Sequence, residues 1–198
     1  MRIFLTGTTG FVGSHFVREA LIEGHHVFAL RRTKESKCKI ELPCEPYWIN
    51  SSFDQINFDE FDSIDVLVHL AAHSANVPYD SLENCLLHNL TMPLKMFKAA
   101  SNCGINKFLV TGSCFEYGIS GLNYEKIPAN AALLPTQSYP ASKAAASIAF
   151  TQFAKDHNIS LSLVRLFQIF GEGELNSRLY PSLKEKALSG EDFKLSLI

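Results

Sequence analysis

Long apolar runs are missing from this sequence: none of its 198 residues belongs to a stretch approaching the roughly 18 consecutive apolar residues of a membrane-spanning helix. The start, Met1-Arg-Ile-Phe-Leu-Thr-Gly7, meets a glycine too soon for a signal peptide and reads as a first strand. A surplus of one charge is missing too. The formal net charge of −2 gives no reason to expect nucleic acid or an anionic membrane as partner. Cysteine is present without a pattern. Cys38, Cys44, Cys85, Cys103 and Cys114 are odd in number and irregularly spaced, which excludes a disulfide framework and a CxxC zinc pair. Reduced thiols in a cytoplasmic protein are the expectation. The close histidine groupings, His25-His26 and His69 with His73, lack carboxylate or cysteine neighbours placed to complete a metal site, so no metal is expected.

What is there fits one domain, or one and a piece, with 46% hydrophobic and 19% charged residues to fill a core and cover it. Strand-like and helix-like segments alternate. Strands are expected over residues 2–6, 26–30, 47–50, 65–69, 107–111 and 161–166, the fourth being Asp65-Val-Leu-Val-His69, almost wholly apolar as buried parallel strands are. Helices are expected over 11–23, 81–103 (bent near Pro93), 138–156 and 178–189, with Arg31–Pro43 as a surface loop. This alternation is the signature of an α/β protein with a doubly wound parallel sheet, a Rossmann fold of strand order 3-2-1-4-5-6.

Thr6-Gly-Thr-Thr-Gly-Phe-Val-Gly13 joins the first strand to the first helix, the context that gives a glycine turn meaning. Gly7 permits the tight reversal, Gly10 the approach of a pyrophosphate, and Gly13 the packing of helix on strand. Thr9, Phe11 and Val12 would offer backbone N–H groups at the positive end of the helix. A dinucleotide is the cofactor expected there. At the end of strand two, where an acidic residue would grip an adenosine ribose, stand Arg31 and Arg32. Arginine pairs with a 2′-phosphate instead, so the expectation leans to NADP over NAD.

Tyr139-Pro-Ala-Ser-Lys143 places a phenol and an amine one helical turn apart on one face. Ser113 lies just past strand five, at the carboxyl edge of the sheet where sites form. A serine to orient an oxygen, a tyrosine to move its proton, and a lysine to lower the phenol pKa form a set for hydride exchange between a nicotinamide and an alcohol or ketone.

On these motifs the chain resembles the extended short-chain dehydrogenase/reductase family, the NAD(P)-dependent nucleotide-sugar epimerases, dehydratases and reductases. Within that family it is similar to the CDP-abequose and CDP-paratose synthase-like reductases of surface-polysaccharide sugar synthesis. The resemblance implies that Leu70, Ala71 and Ala72 pass alongside the cofactor and that Asn89 and Phe167 help hold it. It implies that Ser113, Cys114, Phe115, Gln168 and Arg178 face a nucleotide sugar. Cys114 and Phe115 replace the acidic pair of the family's 4,6-dehydratases, which disfavours water loss and leaves a 4-ketosugar reductase or a 4-epimerase. Family members run longer. Residues 1–172 are therefore expected to form the NAD(P)-binding domain and 173–198 the start of a truncated substrate lobe. A non-catalytic dinucleotide-binding module or inactive remnant is the alternative. A homodimer through Ser81–Cys103 and Ser138–Asp156 is also implied.

Overall fold

A computed structural model describes residues 1–61 and 63–193. Six strands form one parallel sheet: β1 (Arg2–Thr6), β2 (His26–Arg31), β3 (Tyr47–Asn50), β4 (Val66–His69), β5 (Lys107–Ser113) and β6 (Ser160–Leu166). Their order across the sheet is β3-β2-β1-β4-β5-β6, as the alternating pattern implied. The register pairs Leu5 with Ala29 on one side and Val68 on the other. The central strands are apolar on both faces because each face is covered. Phe4 and Leu67 enter one core with Phe97, Met96 and Phe150, whereas Ile3, Leu5 and Val68 enter the other with Val17 and Ala20. That alternation is the period of two that a pleated strand imposes.

The helices are α1 (Phe11–Ile22), α2 (Leu82–Leu86), α3 (Met92–Asn102), α4 (Ser138–Asp156) and α5 (Leu179–Ser189). α1 buries Val17 and Ala20 on the sheet and ends before Gly24, whose φ of +74° suits glycine. The bend expected near Pro93 takes the form of a π-helical turn, Leu87–Thr91, between α2 and α3. Pro93 has no N–H to give and would press on the carbonyl of Asn89 in a regular helix, so the backbone widens there. α3 and α4 meet over the larger core, where the Phe97 ring lies 4.8 Å from Phe150 and 5.1 Å from Phe108. Truncating Phe97 would cost about 3–5 kcal/mol by the usual cavity penalty.

One segment departs from expectation. The 31–43 stretch is irregular but is not a free surface loop. The Lys39 N–H donates to Ser14 Oγ at 2.8 Å, and Ile40 is buried. α5, by contrast, buries none of its residues. Residues 194–198, the end of the expected lobe segment, lie outside the described residues. Among the described residues no helix is long and apolar enough to cross a membrane.

Candidate functional site

β1 and β4 are neighbours whose following helices leave in opposite directions along the sheet order. Such a switch point opens a crevice at the carboxyl ends of the strands. A cleft of about 890 Å³ occupies it, within the range of roughly 300–1,000 Å³ usual for ligand sites.

The glycine turn forms one wall. Gly7 has φ +76°, and a Cβ there would lie 2.5 Å from the Ala71 nitrogen, so only glycine lets Leu70, Ala71 and Ala72 run past it. A Cβ on Gly13 would fall 2.0 Å from the Gly7 carbonyl oxygen. The Gly10 N–H donates to Gly7 O at 2.9 Å and closes the turn. α1 then starts with no side-chain cap and no acidic residue in its first turn. The backbone of Phe11, Val12 and Gly13 therefore enters the cleft wall with the positive end of the helix behind it and Thr9 alongside. An uncapped helix end beside an open cleft fits the pyrophosphate of a dinucleotide.

Past the ends of β2 and β3, Arg31 and Arg32 both line the cleft, as do Ser51, Ser52 and Phe53, which the sequence patterns did not single out. Arg31 is held: its Nε donates to Asn50 Oδ1 at 2.8 Å and its guanidinium lies 4.4 Å above the Trp48 ring.

Ser113, Tyr139 and Lys143 come together from β5 and α4, all on the cleft wall and all buried. The ring of Tyr79 lies on that of Tyr139 with centroids 5.4 Å apart. Burial pushes the Tyr139 phenol up to about 12, while the neighbouring Ser113 hydroxyl pulls the other way. This corrects the expectation that the adjacent amine lowers the phenol. Burial is the leading cause, and the nearby Tyr79, Glu116 and Cys114 add to it. Lys143 is itself brought down to about 8 by burial, with Glu116 opposing, and its Nζ donates to the Thr111 carbonyl at 2.7 Å. That bond fixes the amine over the end of β5.

Beneath the serine lies a residue the motif reading passed over. Glu116 is fully buried; its Oε1 accepts from the Ser113 N–H at 2.7 Å. Its Oε2 accepts from Ser147 Oγ and from Arg165 Nε, each at 2.7 Å. Ser113 Oγ in turn accepts from the Phe115 N–H at 3.3 Å, completing a capping box. The Ser-x-x-Glu spacing, followed by a basic residue on the neighbouring strand, was the signal that could have found it.

Cys114, Phe115, Phe167, Gln168 and Arg178 also line the cleft. Burial pushes the Cys114 thiol up, so it stands as a thiol and not a nucleophilic thiolate. Asn89 is the one expected site residue that does not reach the cleft. Its Oδ1 accepts from the His73 N–H at 2.7 Å, and its Nδ2 donates to His73 O at 3.1 Å and to Ser142 Oγ at 2.9 Å. With its amide used in this way inside the π turn, it braces the β4 loop against α4 and makes no wall for a cofactor.

A family model described as the NAD dependent epimerase/dehydratase family matches residues 3–197. GDP-mannose 3,5-epimerase 1 of Oryza sativa subsp. indica is 25% identical over 86% of this chain and 47% of its own length. CDP-abequose synthase of Salmonella muenchen is 23% identical over 99% of this chain and 62% of its own length. The solved UDP-N-acetylglucosamine 4-epimerase of Methanobrevibacter ruminantium superposes with a TM-score of 0.81 at 25% identity, covering 96% of this chain and 63% of the other. The chain thus spans between about half and two thirds of the relatives it matches.

Proposed function

We propose, because this chain belongs to the NAD dependent epimerase/dehydratase family, that it exchanges hydride between a nicotinamide coenzyme and a carbinol or ketone carbon of a nucleotide sugar. The observation that carries this reading is the meeting of Ser113 and Tyr139 on the cleft wall, with Lys143 one turn away. A bound nicotinamide coenzyme would supply the hydride donor or acceptor. The chain's own residues do the rest. The α1 N-terminus and the glycine turn hold the diphosphate, and Leu70–Ala72 bound the ring. The Ser113 hydroxyl orients the substrate oxygen, and Tyr139, neutral at physiological pH with its value near 12, donates the proton that a reduced carbonyl oxygen requires. Lys143, largely charged below about 8, stabilises the phenolate that remains.

The reading extends to a 4-ketosugar reductase using NADPH. Two arginines and no carboxylate line the adenosine rim, which suits a 2′-phosphate. Cys114 and Phe115 offer no acidic pair for water loss, which supports reduction over dehydration. We take residues 1–172 as the coenzyme domain and 173 onward as the first part of a substrate wall. Leu82, Leu87 and Ile148 expose apolar side chains on α2, the π turn and α4, which supports a homodimer through those helices. Five unpaired thiols suit a reducing, cytoplasmic setting.

The test is titration of the purified chain with NADPH and NADH, followed by turnover on a panel of nucleotide 4-ketosugars. Stoichiometric loss of NADPH absorbance supports the reductase. Sugar interconversion without net coenzyme loss would assign a 4-epimerase instead. Binding without any turnover would leave a dinucleotide-binding module.

A further inference from the structure

Arg31 is held in a way that hydride transfer does not by itself require. In the register of the sheet it pairs with Asn50, and Trp48 stands two residues earlier on the same face of β3. Arg31 Nε donates to Asn50 Oδ1 at 2.8 Å, and its guanidinium carbon lies 4.4 Å from the centre of the Trp48 ring. The indole is anchored in turn, because Trp48 Nε1 donates to Glu45 Oε2. Arg31 Nη1 reaches the Ser36 carbonyl only at 3.5 Å, and Nη2 has no hydrogen-bond partner among the described residues. No carboxylate among the described residues forms an ion pair with Arg31. The exposed Glu35 feels its charge as the smallest of several influences.

Arg31 and Arg32 both line the cleft, but Arg32 is exposed whereas Arg31 is half-buried. A loose arginine loses rotamer freedom when it grips a ligand. One already stacked and bonded has lost that freedom on folding, so its remaining donors bind with less to give up. What stays open on Arg31 is the Nη edge, a permanent cation with unspent N–H groups. A phosphate oxygen pair matches that edge. The coenzyme diphosphate is already provided for by the uncapped start of α1, so the phosphate in question is a further one, carried on the ribose.

We propose that Trp48 and Asn50 are positioning residues for coenzyme choice, holding the Arg31 guanidinium so that its unpaired edge meets the 2′-phosphate of NADPH. This rests on the NADPH reading above and goes beyond it, because it places part of the selectivity on two side chains that do not line the cleft.

The experiment measures binding by calorimetry with 2′,5′-ADP and 5′-AMP, which differ only in the 2′-phosphate and need no turnover. Wild type should bind 2′,5′-ADP at least roughly tenfold tighter, the usual size of a charge-assisted hydrogen bond. Arg31→Met should remove most of that preference. Trp48→Leu and Asn50→Ala should each reduce it by roughly twofold to fivefold, the worth of an exposed cation–π contact, and Trp48→Phe should keep most of it. The 5′-AMP affinity should be the same in all of them. Asn50 is exposed, so Asn50→Ala keeps the test open should Trp48→Leu fail to fold. Trp48 is the single tryptophan, and its emission in wild type should respond to 2′,5′-ADP more than to 5′-AMP. An undiminished preference in Asn50→Ala and in the Trp48 variants, equal weakening of both ligands, or an equal emission response overturns the positioning role. The first of these, together with a loss in Arg31→Met, would leave the NADPH reading standing with Arg31 acting unaided. Equal binding of the two ligands by wild type sinks the NADPH reading itself, and this assignment with it.

Discussion

The floor of the cleft and its outer wall are built in opposite ways. Under Ser113 and Tyr139 the polar groups are engaged with one another. Glu116 serves Ser113, Ser147 and Arg165 at once, and Lys143 is tied to the end of β5. After β6 the chain turns apolar and outward. Phe170 is 68% exposed, Leu179 63% and Leu188 80%, and α5 buries nothing. A constellation with the reacting role proposed above must be held to fractions of an ångström, and a satisfied hydrogen-bond network supplies that rigidity. A wall that meets the variable part of a ligand needs no such bracing, and apolar surface of this kind is where ligands or further protein can be laid down.

That contrast can be broken at several points. The largest effect should come from the floor's chemistry. Tyr139→Phe should lower kcat by roughly 10²–10⁴-fold, the usual worth of a positioned acid, with coenzyme affinity unchanged. Stopped-flow reduction and fluorescence titration of NADPH check the two halves, and equal loss of both would contradict the role. Next, Glu116→Ala leaves Arg165 without its carboxylate and Ser113 N–H without an acceptor, and should cost about 3–5 kcal/mol of stability in urea unfolding. A variant as stable as its parent would mean that the floor is not held by this network.

A comparable effect should follow pH. His69 is wholly buried beside Thr6 Oγ1 at 2.7 Å, and burial first, then the Lys143 charge, holds its imidazole down at about 3 from an ordinary 6.5. Between those values the unfolded chain binds the extra proton, so stability is full above pH 6.5 and falls as pH drops towards 3. The loss is on the order of 4 kcal/mol at pH 3. His69→Gln should flatten that acid limb when unfolding free energies are compared at pH 7, 5 and 4. An unchanged slope would remove His69 from the cause. The smallest effect belongs to the wall: Phe170→Ser should change stability by less than about 0.5 kcal/mol. A larger loss would show that the wall is packed after all.

Much of the molecule was legible in the residues because its signals are local. The glycine turn, the i and i+4 pairing of Tyr139 with Lys143, and the alternation of apolar strands with amphipathic helices each lie within one short window. The strand order followed from that alternation. Where the reading failed, the deciding interaction was remote in sequence. Asn89 reads as a cleft residue until the widened turn before Pro93 swings its amide onto His73 and Ser142. Glu116 caps Ser113 locally, but its partners Ser147 and Arg165 come from a distant helix and strand. The phenol of Tyr139 was expected to be lowered by its amine, and burial raised it, because desolvation is a property of the whole surround.

The order of residues along the chain thus determined the parallel sheet, the glycine turn and the one-turn spacing of Tyr139 and Lys143, since backbone preference and side-chain period act over a few neighbours. Folding in space decided which of those groups are dry, which carboxylates are answered and which are left open. Solvation and long-range hydrogen bonding depend on atoms brought together from distant parts of the chain, and for that reason no window of sequence contains them.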